Sequence, residues 1–362
     1  MNRRILVLTV ILIGAGTAQA RGQDSTASRT SVSAFIDAYY AYDFGRPPGR
    51  DRSFLTQAVR TNEFNLNLVH LALALDRSNV RAKLALQAGT SVQANFAAEP
   101  RTGAISGPEL TRHIQEATLG VRAASGVWID AGIYPSYIGW EGWVSATNPT
   151  YTRSLVAEFT PYFLSGARVT WTPSKRVTIQ GHLMNGWQNV SENNDAKAVG
   201  VRVDYSPSDR LTLVYANYAG NEQPTGTPAK TRFFQQAMAK GTAGRLGWQA
   251  QVDYGREGRG GTNRDWYGWA AIGRWSFDPA TALAIRIEHY SDPHQVIVVT
   301  GRSDGLVASS GSAGVDRTLP GGVLWRLEAR RIRATTPLFA DDGQAGRSKA
   351  SVSLVTSLAV TF

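Results

Sequence analysis

Charged side chains recur at every second position in several stretches of this sequence, each time between large apolar residues. Arg286 and Glu288 alternate with isoleucines, and Arg326, Glu328 and Arg330 lie in a similar run. This period of two is typical of a β-strand with one apolar face and one ionic face. An ionic face that meets water attracts or repels dissolved ions, which is the chemistry that the pattern makes available.

The residue types used in catalysis and metal binding form no recognisable motif. The five histidines are scattered, the chain has no cysteine, and neither an H-E-x-x-H pair nor a G-x-S-x-G turn is present. We therefore expect no enzyme activity, no cofactor and no metal. A hydrolase is the weaker alternative, and it would need a Ser, a His and a carboxylate converging at one rim.

The charge balance is basic without pointing to nucleic acid. Lys and Arg number 38 against 28 Asp and Glu, but the basic residues are spread evenly and form no run. We expect no nucleic-acid partner.

The N-terminus has the three parts of an export signal. Arg3 and Arg4 precede an apolar run over 5–13, and small residues end at Ala20. We predict a signal peptide over 1–20, a flexible leader over 21–30, and a single domain over 31–362.

That domain is predicted to cross a membrane through strands. Every apolar stretch after Ala20 is interrupted before it reaches the roughly 20 residues of a spanning helix, so a closed barrel is the remaining solution in lipid. We predict an all-β, up-and-down antiparallel transmembrane barrel of about 16 strands, in the range 14–18. A phase change near Leu68 predicts a β-bulge, and longer links such as Gly255–Arg264 are expected as outer loops.

The last strand carries a further signal. Val352, Leu354, Leu358 and Val360 share one face, and the chain ends in Phe362. This ending looks like the signal read by the barrel-assembly machinery of the bacterial outer membrane. We therefore expect that location, with outer-membrane lipids and the assembly machinery as partners.

Three segments resemble the OmpL-like β-barrel porin family. They are 130–141 with its G-x-x-x-x-x-x-G-x-E pattern, 148–155 with an Asn followed by R-S-L, and 161–168 with a P-Y-x-x-x-G pattern. The resemblance implies an outer-membrane channel for small hydrophilic solutes, without naming the solute. The alternative is a non-conducting barrel with an adhesive or envelope-structural role. Either kind of barrel could associate into a homo-oligomer.

The predicted lumen-facing charges contain more cations than anions, from which we expect a mild anion preference. They are Arg81, Lys83, Arg122, Arg168, Arg202, Arg286, Arg326 and Arg330 against Glu116, Asp130, Asp204, Glu288 and Glu328. The alternative is that these charges pair across neighbouring strands and only stiffen the wall.

The segment from Trp140 to Thr160 is long enough to fold inward and narrow the lumen, the alternative being an ordinary surface loop. The full set of predicted pore-lining residues is Arg122, Asp130, Tyr134, Glu141, Asn148, Arg153, Arg168, Arg202, Arg286, Glu288, Arg326 and Arg330.

Overall fold

Alternation along the strands separates an apolar outer surface from a polar inner surface. In the computed structural model, which describes residues 28–259 and 261–362, Ile285 and Ile287 are 53% and 56% exposed. Their neighbours Arg286 and Glu288 are 0% and 2% exposed. The apolar side chains therefore point outward and the ionic ones inward, as the period of two predicts.

Sixteen antiparallel strands in the described residues close into one barrel, and this confirms the predicted number and class. The last strand pairs with the first, with Leu358 opposite Ala38. The barrel strands are β1 (Arg29–Asp43), β2 (Glu63–Asp76), β3 (Val80–Ala88), β4 (Ile114–Ala124), β5 (Val127–Pro135), β6 (Phe163–Ser174), β7 (Val177–Met184), β8 (Ala198–Ser208), β9 (Leu211–Asn221), β10 (Thr231–Ala243), β11 (Leu246–Arg259), β12 (Thr262–Ser276), β13 (Thr281–Asp292), β14 (Leu306–Thr318), β15 (Leu324–Ala334) and β18 (Ala350–Thr361).

Smaller elements lie in the links. They are the hairpin of β16 (Phe339–Asp341) and β17 (Gln344–Ser348), the helices α1 (Thr90–Asn95), α2 (Pro108–Thr111) and α3 (Leu155–Glu158), and 3-10 helices at Pro48–Arg50, Ser145–Thr147 and Pro320–Gly322. In the described part of the chain, no helix has the length and apolar character that a bilayer crossing needs.

Short turns join the strands at one end of the barrel, and longer loops join most of them at the other. The third long loop, residues 136–162 between β5 and β6, is called L3 below. The loop predicted over Gly255–Arg264 is wrong, because β11 continues to Arg259 and β12 begins at Thr262. Gly255 is needed within the strand, since a Cβ there would lie 2.0 Å from the Trp266 ring.

The predicted bulge lies one residue from the expected place. Asp37 of β1 pairs with Leu68 and Ala38 pairs with Leu66, so Asn67 has no opposite partner. Its side chain turns inward and donates a hydrogen bond to Asp37 at 2.8 Å.

The N-terminal segments predicted from the sequence lie mostly outside the described residues. These include the signal peptide over 1–20 and most of the leader over 21–30. Strand β1 begins at Arg29, two residues before the predicted start of the barrel at residue 31.

Candidate functional site

L3 leaves the barrel wall and enters the lumen. Near its start, the Tyr137 hydroxyl donates to the Asn217 carbonyl of β9 at 2.6 Å. Two residues later the Gly139 amide donates to the Gln236 side chain of β10 at 2.7 Å. L3 therefore begins by running along the inner wall away from β5.

The far end of L3 reaches the opposite wall. The Leu155 amide donates to the Glu288 carboxylate at 2.5 Å, and Glu288 belongs to β13, which is eight strands from β5 in the sixteen-strand barrel. The Thr152 amide and hydroxyl each donate to Glu328 of β15 at 2.7 Å. L3 thus begins at β5 and is bonded at its far end to strands on the opposite side of the barrel, so it crosses the lumen.

A buried ionic network receives the end of L3. Arg286 lies 3.1 Å from Glu288 and 3.2 Å from Glu328, and Arg330 lies 2.8 Å from Glu288. Each of these four side chains is at most 3% exposed. The predicted pore-lining residues Arg286, Glu288 and Arg330 are thus brought together, but under L3 rather than at an open water surface.

Arg326 and Asn148 form the neighbouring contact. Arg326 pairs with Asp316 at 2.9 Å and donates to the carbonyls of Asn148 and Ser145, both at 2.7 Å. The Asn148 side chain accepts a hydrogen bond from the Gly142 amide and donates one to the Gly142 carbonyl, both at 2.9 Å. This carboxamide therefore folds L3 back on itself, while Arg326 holds the fold against the wall.

Glu141 lies inside L3 and connects it to the network. Its carboxylate accepts from the Ser154 amide at 3.2 Å and lies 3.9 Å from Arg286. Burial raises the pKa of Glu141 above its ordinary value of 4.5, although Arg286 opposes the shift. The proton affinity of this group is therefore coupled to the docking of L3.

Arg153 lies in L3 and is fully buried. Its guanidinium stacks on the Tyr162 ring at 3.8 Å and lies 3.9 Å from Glu158. Burial also raises the pKa of the Tyr162 hydroxyl well above its ordinary value. Arg153 is thus used inside L3, where a cation–π contact and an ion pair compensate its desolvation.

A second group of predicted residues lies on the wall of β3 to β7. Asp130 is shared by Arg81 at 2.5 Å and Arg168 at 3.1 Å. The Tyr134 hydroxyl lies 3.3 Å from His182 Nδ1, and Arg168 lies 5.1 Å from the Tyr134 ring. These residues form one cluster that is separate from the network under L3.

Arg202 and Arg122 belong to neither cluster. Arg202 pairs with Asp204 at 2.8 Å and donates to the Tyr137 carbonyl at 2.5 Å, so it supports the start of L3. Arg122 is exposed at the end of β4, 5.0 Å from the Trp128 ring.

Several functional residues were missed in the sequence. Asp37 accepts hydrogen bonds from Ser145 of L3 and from Asn67, both at 2.8 Å. Asp316 is shared by Arg326 and Arg274. The inward phase of their strands could have identified both carboxylates, whereas nothing local indicates that L3 covers them.

A sequence-family comparison decides the identity. Residues 29–362 match the family described as "Putative beta-barrel porin-2, OmpL-like". The chain belongs to this family. It is an outer-membrane porin of bacteria, and the sequence resemblance and the predicted location are confirmed. None of the curated proteins matches the porin in sequence.

Solved porin structures share the fold. An anion-selective porin from Comamonas acidovorans has 10% identity and a TM-score of 0.58, over 93% of this chain and all of that chain. OmpF from Salmonella typhi, in complex with daunomycin, has 12% identity and a TM-score of 0.57 over 92% and 97%. The trimer form of OmpT, an outer membrane protein of Vibrio cholerae, has 9% identity and a TM-score of 0.56 over 93% and 100%.

Proposed function

We propose that this porin conducts small hydrophilic anions in preference to cations, past an L3 that stays docked across the lumen. The observation that carries the proposal is a repeated arrangement on the inner wall, in which two arginines share one carboxylate. Arg81 and Arg168 share Asp130, and Arg274 and Arg326 share Asp316. Each cluster keeps a net positive charge.

The ionic network under L3 adds no comparable preference. Arg286 and Arg330 face Glu288 and Glu328, so their charges cancel in a region that is closed to water. Exposed wall charges act on a passing ion in a confined space, where screening is weaker than in bulk solution. Selectivity therefore depends on the partly exposed arginines of the two clusters, Arg81, Arg168 and Arg274, because Arg326 itself is buried under L3.

A cavity beside L3 contains further cations. It has a volume of about 260 Å³ and lies between Pro149 of L3 and the inner wall of β9 to β12, with Arg210, Lys240 and Arg274 among its lining residues. The Lys240 ammonium lies 4.9 Å from the Trp140 ring, at the start of the segment predicted to constrict the lumen. An anion passing L3 on this side would meet these three positive charges and one negative charge, that of Asp209.

The reversal potential of the purified porin in a potassium chloride gradient tests the proposal. We expect an anion-to-cation permeability ratio above one. This ratio should rise as ionic strength falls, because salt screens the wall charges over a longer distance, and so less effectively, at low concentration. Lys240→Gln should lower the ratio. The matched control is Lys197→Gln, which removes an exposed outer-loop lysine paired with Glu192. Cation selectivity of the wild type would refute the proposal.

We further propose that the barrel is not a hydrolase. His289 Nδ1 lies 2.9 Å from Ser309 Oγ on the outer surface, but within the described residues no carboxylate pairs with His289, so the third member of a triad is missing. Phospholipid hydrolysis by the folded protein that disappears in Ser309→Ala would favour the hydrolase alternative instead.

We also propose two partners. Phe362 is 70% exposed at the closing strand, where its amide bonds the Ala34 carbonyl at 2.9 Å, and we propose that the assembly machinery reads this end. The trimer form described for the Vibrio cholerae protein supports the proposal that copies of this porin associate. Chemical cross-linking in detergent tests the association.

A further inference from the structure

Two arginines occupy an unusual place, on the outer face of β15. Arg331 and Arg333 are exposed, whereas Ile332 between them is 3% exposed and points inward. The ion pairs of β15 belong to its inward-facing residues Arg326, Glu328 and Arg330. Among the described residues, neither Arg331 nor Arg333 pairs with a carboxylate.

Their height in the membrane follows from the strand. Arg331 lies six residue steps beyond Trp325 at the periplasmic end, which is about 15 Å along the membrane normal for a strand tilted by about 40°. Arg333 lies about 20 Å above Trp325 on the same reasoning. The apolar band of such barrels is about 25 Å tall, so Arg333 lies about 5 Å and Arg331 about 10 Å below its outer edge, and both long side chains can extend towards the outer headgroup layer.

The neighbouring strands extend this position into a polar row. Arg333 is directly opposite Ser309 of β14, and Ser309 is directly opposite His289 of β13. Ser309 and His289 are joined by a hydrogen bond of 2.9 Å. Donor groups on three adjacent strands thus lie in line, with cross-strand Cβ separations of about 5 Å.

The surroundings supply no counter-charge. Outward positions on β13, β14, β15 and β18, all fully described strands, carry no Asp or Glu, and most of those below the row are apolar, as at Ile285, Ile287 and Leu354. An arginine on the lipid face is strongly destabilising at the bilayer midplane and nearly neutral at the interface. The anions available in that layer are the phosphate groups of lipids.

We propose that Arg331, Arg333, Ser309 and His289 form a binding site for the phosphate group of an outer-leaflet lipid. Arg331 and Arg333 lie two residues apart on one face, so their guanidinium groups can converge on one phosphate with charge-assisted hydrogen bonds. The acyl chains of that lipid would lie along the apolar surface of β13 to β15. This site is independent of conduction through the lumen.

Titration of the full-length folded porin with bisphosphorylated lipid A, followed by native mass spectrometry, tests the proposal. Two interfacial arginines correspond to about a thirty-fold change in affinity, so we expect Arg331→Gln/Arg333→Gln to bind about thirty-fold more weakly than wild type. Arg331→Lys/Arg333→Lys should keep most of the affinity. Dephosphorylated lipid A should bind wild type and the glutamine variant equally.

The matched control is Arg256→Gln, which removes an exposed outward arginine near the outer end of β11, four strands from β15. This variant should bind as wild type does. An equal loss in Arg256→Gln would show a diffuse basic belt and overturn the site. Unchanged binding by the folded double glutamine variant would overturn it too, as would displacement of the lipid by inorganic phosphate at equal concentration.

Discussion

Glu288 joins L3 to two buried arginines, so Glu288→Gln is a direct test of L3 docking. One carboxylate oxygen accepts from Arg330 at 2.8 Å and lies 3.1 Å from Arg286, while the other accepts from the Leu155 amide of L3 at 2.5 Å. The substitution leaves both buried arginines without this counter-charge and weakens the bond to L3.

The size of the effect follows from the burial of the network. Removing one partner of a buried ion pair costs about 3–5 kcal/mol. If L3 undocking relieves that cost, the undocked fraction rises by a factor of about 10² to 4 × 10³. Undocking clears the centre of the lumen, so an undocked channel carries more current.

Single-channel recording in planar bilayers measures this fraction. Glu288→Gln should show frequent steps to a higher conductance level that are rare in the wild type. The matched control is Glu257→Gln, which breaks the buried pair with Arg232, at 2.8 Å between β10 and β11, away from L3. Indistinguishable records for the two folded variants, with folding checked by gel mobility before and after boiling, would refute the reasoning.

Three further predictions concern pH, packing and assembly. Because docked L3 holds Glu141 with a raised pKa, docking binds protons and strengthens as pH falls from neutral towards 4.5; high-conductance steps should become rarer on acidification, and Glu141→Gln should remove its share of this dependence. Gly200→Ala would place a Cβ 1.8 Å from the Tyr137 hydroxyl, so we expect a loss of about 1–3 kcal/mol in the free energy of unfolding, measured by urea titration in detergent; unchanged stability would contradict this packing. Removal of Phe362 should reduce the amount of folded barrel in the outer membrane without preventing refolding in detergent, as measured on unboiled gels, and wild-type assembly in cells would contradict its proposed role.

The fold could be predicted because its signal is local. The contrast between Ile285 or Ile287 and Arg286 is visible in three consecutive residues, and it fixes which face meets lipid. The error at Gly255 has the opposite origin: a glycine that resembles a loop residue is required by the ring of Trp266 on the adjacent strand. That requirement comes from cross-strand packing, which local composition does not report.

The candidate site could be predicted only in part. Inward phase identified Arg286, Glu288 and Arg330 as lumen residues, but not that L3 would cover them. That covering depends on contacts over long separations, such as Thr152 with Glu328. The alternation of charged and apolar residues therefore identifies the inner wall of the barrel. The path of L3 determines which charged side chains of that wall contact water.

Ion current through a barrel whose L3 is covalently fixed tests the central claim most directly. The chain has no cysteine, and a Cβ at Gly268 would lie 2.5 Å from the Val156 side chain of L3, so Val156→Cys/Gly268→Cys provides a disulfide across this contact. We predict that the oxidised variant still gives discrete channel steps of wild-type size. A silent bilayer that conducts only after reduction would show that docked L3 seals the lumen, and would contradict the account.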